Sequence, residues 1–389
     1  MKEIHIKLLF IIFLFISINS NAQLITKEKK DSLVSKVVRV NDKMYKIMQV
    51  IPAPIISYSS ETNWVFGLAK FQGYNIKKSD TISRASSVSA TFAASLDGQM
   101  YGVFSNSSYF GENKNILNTF FDYEKYPREW YVINSSDQNK DYSELVTTNF
   151  ISTYVEYLRQ FVPKTYIGLA YHYDNYFKID YPKGGLLDSV DFFGKEGGIN
   201  SGLGLIVQYD SRDNTFSTYS GLYLNVEGHH YSELIGSDYN FNKYIIDFRA
   251  FTQKKGFVIG GQIYSESNFG EIPFYNMAQL GGSYRMRGFY SGQIRNKILV
   301  DSQVEIRKHL FWLVSGAAYM GVGSVSKDYP INTMLNVLVD KMVYSYGAGF
   351  RLTVDPENRI NIRFDFGLGY DQYLNRYYRA LFFGFSEAF

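Results

Sequence analysis

Five histidines and no cysteine set the limits on the chemistry open to this 389-residue chain. Without a thiol there is no cysteine nucleophile, no thiolate metal site and no disulfide framework. His229 and His230 are adjacent in a segment of strand character, so their side chains point to opposite faces and do not close on one metal ion. Two exposed imidazoles at a strand end are the expectation there. His172 and His309 lack a carboxylate or serine at a spacing that signals a base and nucleophile, and His5 falls in the leader. No catalytic residue, metal site or cofactor is therefore expected. The pairs Lys77-Lys78 and Lys254-Lys255 read as solvated charges in turns near lipid headgroups. A net charge of +3 is too small to imply a nucleic-acid partner.

The elements that carry these residues repeat with a period of two. At 359–371, Ile360, Ile362, Phe364, Phe366, Leu368 and Tyr370 alternate with Arg359, Asn361, Arg363, Asp365, Gly367, Gly369 and Asp371. A strand sends alternate side chains to opposite faces, so one face is apolar and the other charged. Residues 298–307 do the same, with Ile298, Val300, Val304 and Ile306 against Asp301, Gln303, Glu305 and Arg307. Residues 222–229 set Leu222, Leu224 and Val226 against Tyr223, Asn225, Glu227 and His229. A soluble sandwich also alternates, but the charges and glycines here suit a water-filled lumen better.

About sixteen such strands are predicted between Pro52 and Phe389, the last at 376–389. The long connections 125–144, 178–199, 269–297 and 326–340 all follow odd-numbered strands, and tight turns follow even-numbered ones. Short turns on one side and long loops on the other define a sixteen-stranded antiparallel transmembrane β-barrel. The all-β class also explains a mean hydropathy of −0.19 in a chain with 17% aromatics. Phe falls on the lipid-facing parity and Tyr near strand ends, at the headgroup boundary.

Ahead of the strands, Lys2 and Lys7 flank the apolar run Leu8–Ile16, and small and polar residues follow to Ala22. This reads as a signal peptide over 1–22, with no nearby cysteine for a lipid anchor. The stretch 23–51 reads as a short periplasmic lead and 52–389 as the barrel domain. No later apolar run reaches the ~18 residues of a transmembrane helix. A multi-pass location in the cell outer membrane follows, with outer-membrane lipids as partners.

The longest surface loop holds Leu280-Gly-Gly-Ser-Tyr-Arg-Met-Arg-Gly-Phe-Tyr290 between the eleventh and twelfth predicted strands. Here the chain resembles the outer-membrane assembly and translocation barrels of the BamA/TamA type, the bacterial surface-antigen family. In that family this loop carries Val-Arg-Gly-Phe/Tyr and folds back into the lumen. Met286, Arg287, Gly288 and Phe289 match that motif, with Met in place of Val. Tyr209-Asp-Ser-Arg-Asp-Asn214 followed by Ser220-Gly221, Tyr58-Ser-Ser-Glu-Thr-Asn-Trp64, Tyr346-Gly-Ala-Gly-Phe-Arg351 and Arg363-Phe-Asp-Phe-Gly367 resemble further family segments. Leu381, Phe383, Phe385 and Phe389 resemble the terminal signal that the barrel assembly machinery reads, with Glu387 departing from it.

If the loop lies in the lumen, as the resemblance implies, Arg287 needs carboxylates, because a guanidinium does not give up its charge. Glu305 and Asp301 qualify by parity, and Asp365 is a more distant candidate. In the family an Asp on the thirteenth strand also meets this Arg; Gly321 stands there instead. The family's assembly and translocation members carry POTRA modules before the barrel, and 23–51 is too short for one. The resemblance implies a non-enzymatic role in outer-membrane biogenesis or translocation, with any periplasmic partner unknown. A passive pore or surface antigen, its Arg287 loop folded into the lumen, is the alternative.

Overall fold

Alternating exposure divides each strand between two solvents. In the segment Gly198–Asp210, Leu203, Leu205 and Val207 face outward, while Gly204, Ile206 and Gln208 between them are buried. The computed structural model describes residues 52–59, 63–132, 142–327, 342–356, 358–372 and 374–389. The expected signal peptide at 1–22 and lead at 23–51 lie outside those residues.

The strands begin with β1 (Ala53–Ser59), β2 (Asn63–Tyr74), β3 (Ser86–Ser95), β4 (Met100–Phe110), β5 (Asn115–Val132) and β6 (Tyr142–Val162). They continue as β7 (Thr165–Asp180), β8 (Gly198–Asp210), β9 (Gly221–Tyr231), β10 (Phe241–Lys254) and β11 (Phe257–Gly270). After the short β12 (Ala278–Leu280) and β13 (Ile294–Asn296) come β14 (Ile298–Phe311) and β15 (Val314–Ser326). The last are β16 (Val343–Asp355), β17 (Ile360–Asp371) and β18 (Arg376–Phe385). Sixteen of them form one antiparallel sheet in chain order, and β12 pairs with β13 as a separate hairpin. The sheet is a sixteen-stranded transmembrane β-barrel, and side chains meet across its interior. Phe71 on β2 lies 5.8 Å, ring to ring, from Phe216 in the turn after β8.

The outward face is what lipid requires. Leu205 is 66% exposed near the middle of β8, opposite Leu169 of β7. Leu205→Arg is expected to cost about 2–4 kcal/mol, the usual penalty for a cation at the bilayer midplane. Urea unfolding in liposomes reads that loss directly, and an unchanged midpoint would mean that this face does not meet hydrocarbon.

Two boundaries differ from expectation. The described residues of the predicted loop at 125–144 are strand, because β5 continues to Val132 and β6 starts at Tyr142; 133–141 lie outside the described residues. Glu124, Lys125, Pro127 and Arg128 had hidden that extension. Beyond the bilayer no lipid selects an apolar face, so a strand loses its period-two mark. The last strand, predicted to run to 389, ends at Phe385. Ser386 takes a left-handed φ of 64°, and Glu387 N donates to Phe216 O at 3.0 Å. Phe389, 5% exposed, packs on Phe251 of β10 rather than extending the alternation of Leu381 and Phe383, which do face outward. Inside the sheet Phe389 packs on Phe251 and Glu387 pairs with Arg351 at 2.8 Å, and these contacts hold the tail inward.

Candidate functional site

The connection from β11 to β14 enters the lumen and builds its own small core. A 3-10 turn (Phe274–Asn276) leads into β12, whose register with β13 sets Gln279 opposite Arg295. Leu280, Met286 and Phe289 are buried together with Tyr264, Leu299 and Val343 of the barrel wall. Burying a side chain of this size contributes about 1.5–3 kcal/mol. Between them the chain reverses sharply. Met286 sits at φ 46°, and its carbonyl accepts from both Gly288 N (2.8 Å) and Phe289 N (3.2 Å).

That reversal drives Arg287 into the wall with none of its surface exposed. Its Nη1 lies 2.6 Å from Glu305 Oε2 and 2.9 Å from Asp365 Oδ2. The guanidinium stacks 3.6 Å above the Tyr319 ring of β15. Tyr319 therefore supplies the contact from the thirteenth barrel strand, while Gly321 lies under Met286, where an added Cβ would meet Sδ at 2.9 Å. Asp301, the other candidate by parity, pairs with Arg285 at 3.0 Å instead. Arg285 in turn lies over the Tyr264 ring at 3.3 Å.

The two carboxylates that meet Arg287 are shared. Arg351 reaches Asp365 Oδ1 (2.5 Å), Glu305 Oε2 (3.3 Å) and Glu387 Oε2 (2.8 Å). Arg363 donates to Asp365 (2.9 Å) and to the loop carbonyl of Ser283 (2.5 Å). Arg307 Nε lies 3.0 Å from Glu305 Oε1. Four buried guanidiniums thus face three carboxylates drawn from β14, β17 and the chain's last turn. Sequence reading singled out Arg287, Glu305 and Asp365 but missed Arg351, Arg363 and Arg307 as members. Their lumen-facing parity was the available signal.

Glycine makes the approach possible. A Cβ on Gly367 would sit 1.4 Å from Arg287 O, and one on Gly288 would sit 2.4 Å from the carbonyl carbon of Leu368. The loop backbone lies flat on β17, where only two bare backbones fit.

A second set of contacts closes the turn end of the barrel. Within the segment Tyr209–Asn214, Asp210 accepts from Arg84 (2.5 Å) and Arg212 (3.0 Å). Asp213 meets Arg359 of the β16–β17 turn at 2.6 Å. Although burial opposes it, Arg359 and the amides of Ser220 and Tyr219 hold the Asp213 carboxyl below its ordinary range.

The histidines depart from expectation. His229 is 4% exposed and faces the lumen, with Nε2 2.8 Å from Glu227; His230 faces outward beside Asn242. His172 bonds Tyr231 Oη through Nδ1 (2.6 Å) and lies 3.2 Å from Asp174 through Nε2. Both carboxylates stand two residues from their histidine, which on a strand means the same face. Tyr231 and Asp174 occupy both nitrogens of His172, and no serine hydroxyl is bonded to either imidazole among the described residues. No group of three or more metal-ligating side chains that could hold an ion is found among them either.

A membrane barrel of sixteen strands with its own long loop held inside the lumen defines a class, the outer-membrane barrels of the BamA/TamA type. The model of the Omp85 superfamily domain matches residues 82–389, and the chain belongs to that superfamily. Among solved structures, the fold is similar to that of BamA from Haemophilus ducreyi lacking POTRA domains 1-3. The TM-score is 0.51 at 13% identity, over 85% of this chain and 69% of that one. No curated protein matches the chain.

Proposed function

We propose that this barrel serves outer-membrane biogenesis or translocation without catalysing a reaction, and that its Arg287 loop is a structural brace. The observation that carries the reading is the seating of Arg287 between Glu305 and Asp365, with the loop backbone laid on β17. A brace of this kind fixes the shape of the wall that strands β14 to β17 form. Superfamily membership supports the role. The barrel assembly machinery inserts the chain, reading Leu381, Phe383, Phe385 and Phe389 as it passes, and outer-membrane lipids surround it. The barrel domain spans 52–389, behind a signal peptide and a short lead.

Deleting the gene is expected to lower the levels of other outer-membrane proteins or to disturb lipid asymmetry. No change in either would overturn the biogenesis reading. The second reading is a passive pore or surface antigen. It is favoured by cavities of about 530 and 450 Å³ that border the loop, and by one of about 340 Å³ lined by strands β5 to β10 alone. Planar-bilayer recordings separate the two: large, steady channels support the pore, and a sealed barrel counts against it. Hydrolysis of lipid by the purified protein would contradict the non-enzymatic assignment.

A further inference from the structure

A second arginine of the same loop is buried without the carboxylates that hold Arg287. Arg295 of β13 is 9% exposed. Its Nε donates to Gly292 O at 3.1 Å, and its guanidinium lies 4.6 Å from the Phe274 ring and 5.8 Å from that of Trp130. Among the described residues, no carboxylate forms an ion pair with Arg295. A largely buried guanidinium with ring faces and one carbonyl beside it lacks a counter-charge from the protein.

The side chain borders a cavity of about 40 Å³, lined also by Arg128, Thr148, Gln279 and Ser291. Arg128 adds a second cation, which Glu124 neutralises through a direct ion pair. Glu129 also borders the space, but alternation places its side chain on the face of β5 opposite Arg128 and Trp130. An independent observation marks the same place. The Thr148 hydroxyl is buried there with no hydrogen-bond partner. A guanidinium fork bordering one small polar space, with a buried, unpartnered hydroxyl on a residue of its lining, fits an oxyanion that takes two donors from arginine.

We propose that this cavity binds a single small oxyanion of the phosphate or carboxylate class. The ion is drawn from solution through the lumen, because the cavity shares Phe150, Tyr176, Tyr275, Gln279 and Ser291 with the large lumenal cavity beside it. The bound ion supplies the charge that Arg295 lacks and ties the β12–β13 hairpin to β5 and β6. The site is independent of the function proposed above.

Trp130 beside Arg295 reports on it. In full-length protein carrying Trp64→Phe and Trp312→Phe, inorganic phosphate added at constant ionic strength, in phospholipid-free micelles, should change Trp130 emission saturably. Arg295→Gln should shift the midpoint at least ten-fold to higher phosphate. Absence of a saturable change in the Arg295 protein would overturn the proposal without recourse to the variant. So would an unshifted midpoint in an Arg295→Gln protein that keeps the gel mobility of the folded barrel. A response that requires phosphate-bearing lipid vesicles would overturn the solution source of the ion.

Discussion

Gly367→Ala is expected to expel the lumenal loop while leaving the barrel folded. The new methyl would stand 1.4 Å from Arg287 O, in backbone that neither partner can rotate away. Ordinary overpacking costs about 1–3 kcal/mol because side chains shift; here the loop itself has to leave. Its departure forfeits the burial of Met286 and Phe289, roughly 1.5–3 kcal/mol each, together with both Arg287 ion pairs. Strands β16 to β18 keep their ladders, since the methyl points into the lumen. The folded, unheated protein should retain its fast gel mobility while a protease cuts within 281–292. Protection of that segment equal to the parent's would show that the loop is not seated on β17 as described.

Glu305→Gln is expected to destabilise the protein more than Arg287→Ala does, although the two residues form one ion pair. Glu305 serves Arg287, Arg307 and Arg351. Its loss leaves four buried guanidiniums with two carboxylates, Asp365 and Glu387. Breaking a buried pair from the carboxylate side strands its cations, which costs about 3–5 kcal/mol. Removing Arg287 acts in the opposite sense. Three guanidiniums then face three carboxylates, and Arg351 still bonds both of the acids that Arg287 gave up. The remaining cost is the hydrogen bonds to charged partners and the stack on Tyr319, about 1.5–3 kcal/mol. Urea midpoints of the two variants in liposomes give the ranking. The reverse order would mean that the network carries less positive charge than its side chains indicate.

The strand order was legible because lipid enforces it. Phe364 and Phe366 against Arg363 and Asp365 can be sorted by parity alone, and the structure exposes the first pair and buries the second. Legibility failed wherever lipid stopped acting. Past Glu124 both faces of β5 meet water or loops, so charge there resembled a turn. Past Phe385 the chain leaves the sheet, and parity placed Phe389 on a face it never reaches. Within the lumen, parity identified which residues face inward but not who meets whom. It offered Asp301 and Glu305 equally to Arg287, and the loop's depth decided between them. In the sequence Gly367 and Gly369 stand only as small residues on the lumen-facing parity. Their purpose depends on a backbone nearly eighty residues earlier in the chain, which no local pattern reveals. His229 lies on the face that parity assigned it, and only its burial differs from the exposed imidazole expected there, because Glu227 two residues away on the same face makes a buried imidazole tolerable.

The unequal length of the strands has a consequence for the shape of the barrel's rim. β5 and β6 are 18 and 21 residues long, while β1 to β4 have 7 to 12. At ~3.4 Å per residue and a tilt near 40°, strands of that length rise to roughly 45–55 Å, about twice the height of the apolar band. The rim is therefore lopsided, low beside the first strands and tall at this hairpin. Trp130 and Val146 lean inward against Leu187 and Tyr275, so the tall side is propped rather than free-standing. Among the described residues this hairpin is the tallest part of the rim, so whatever approaches the barrel from that end meets it first.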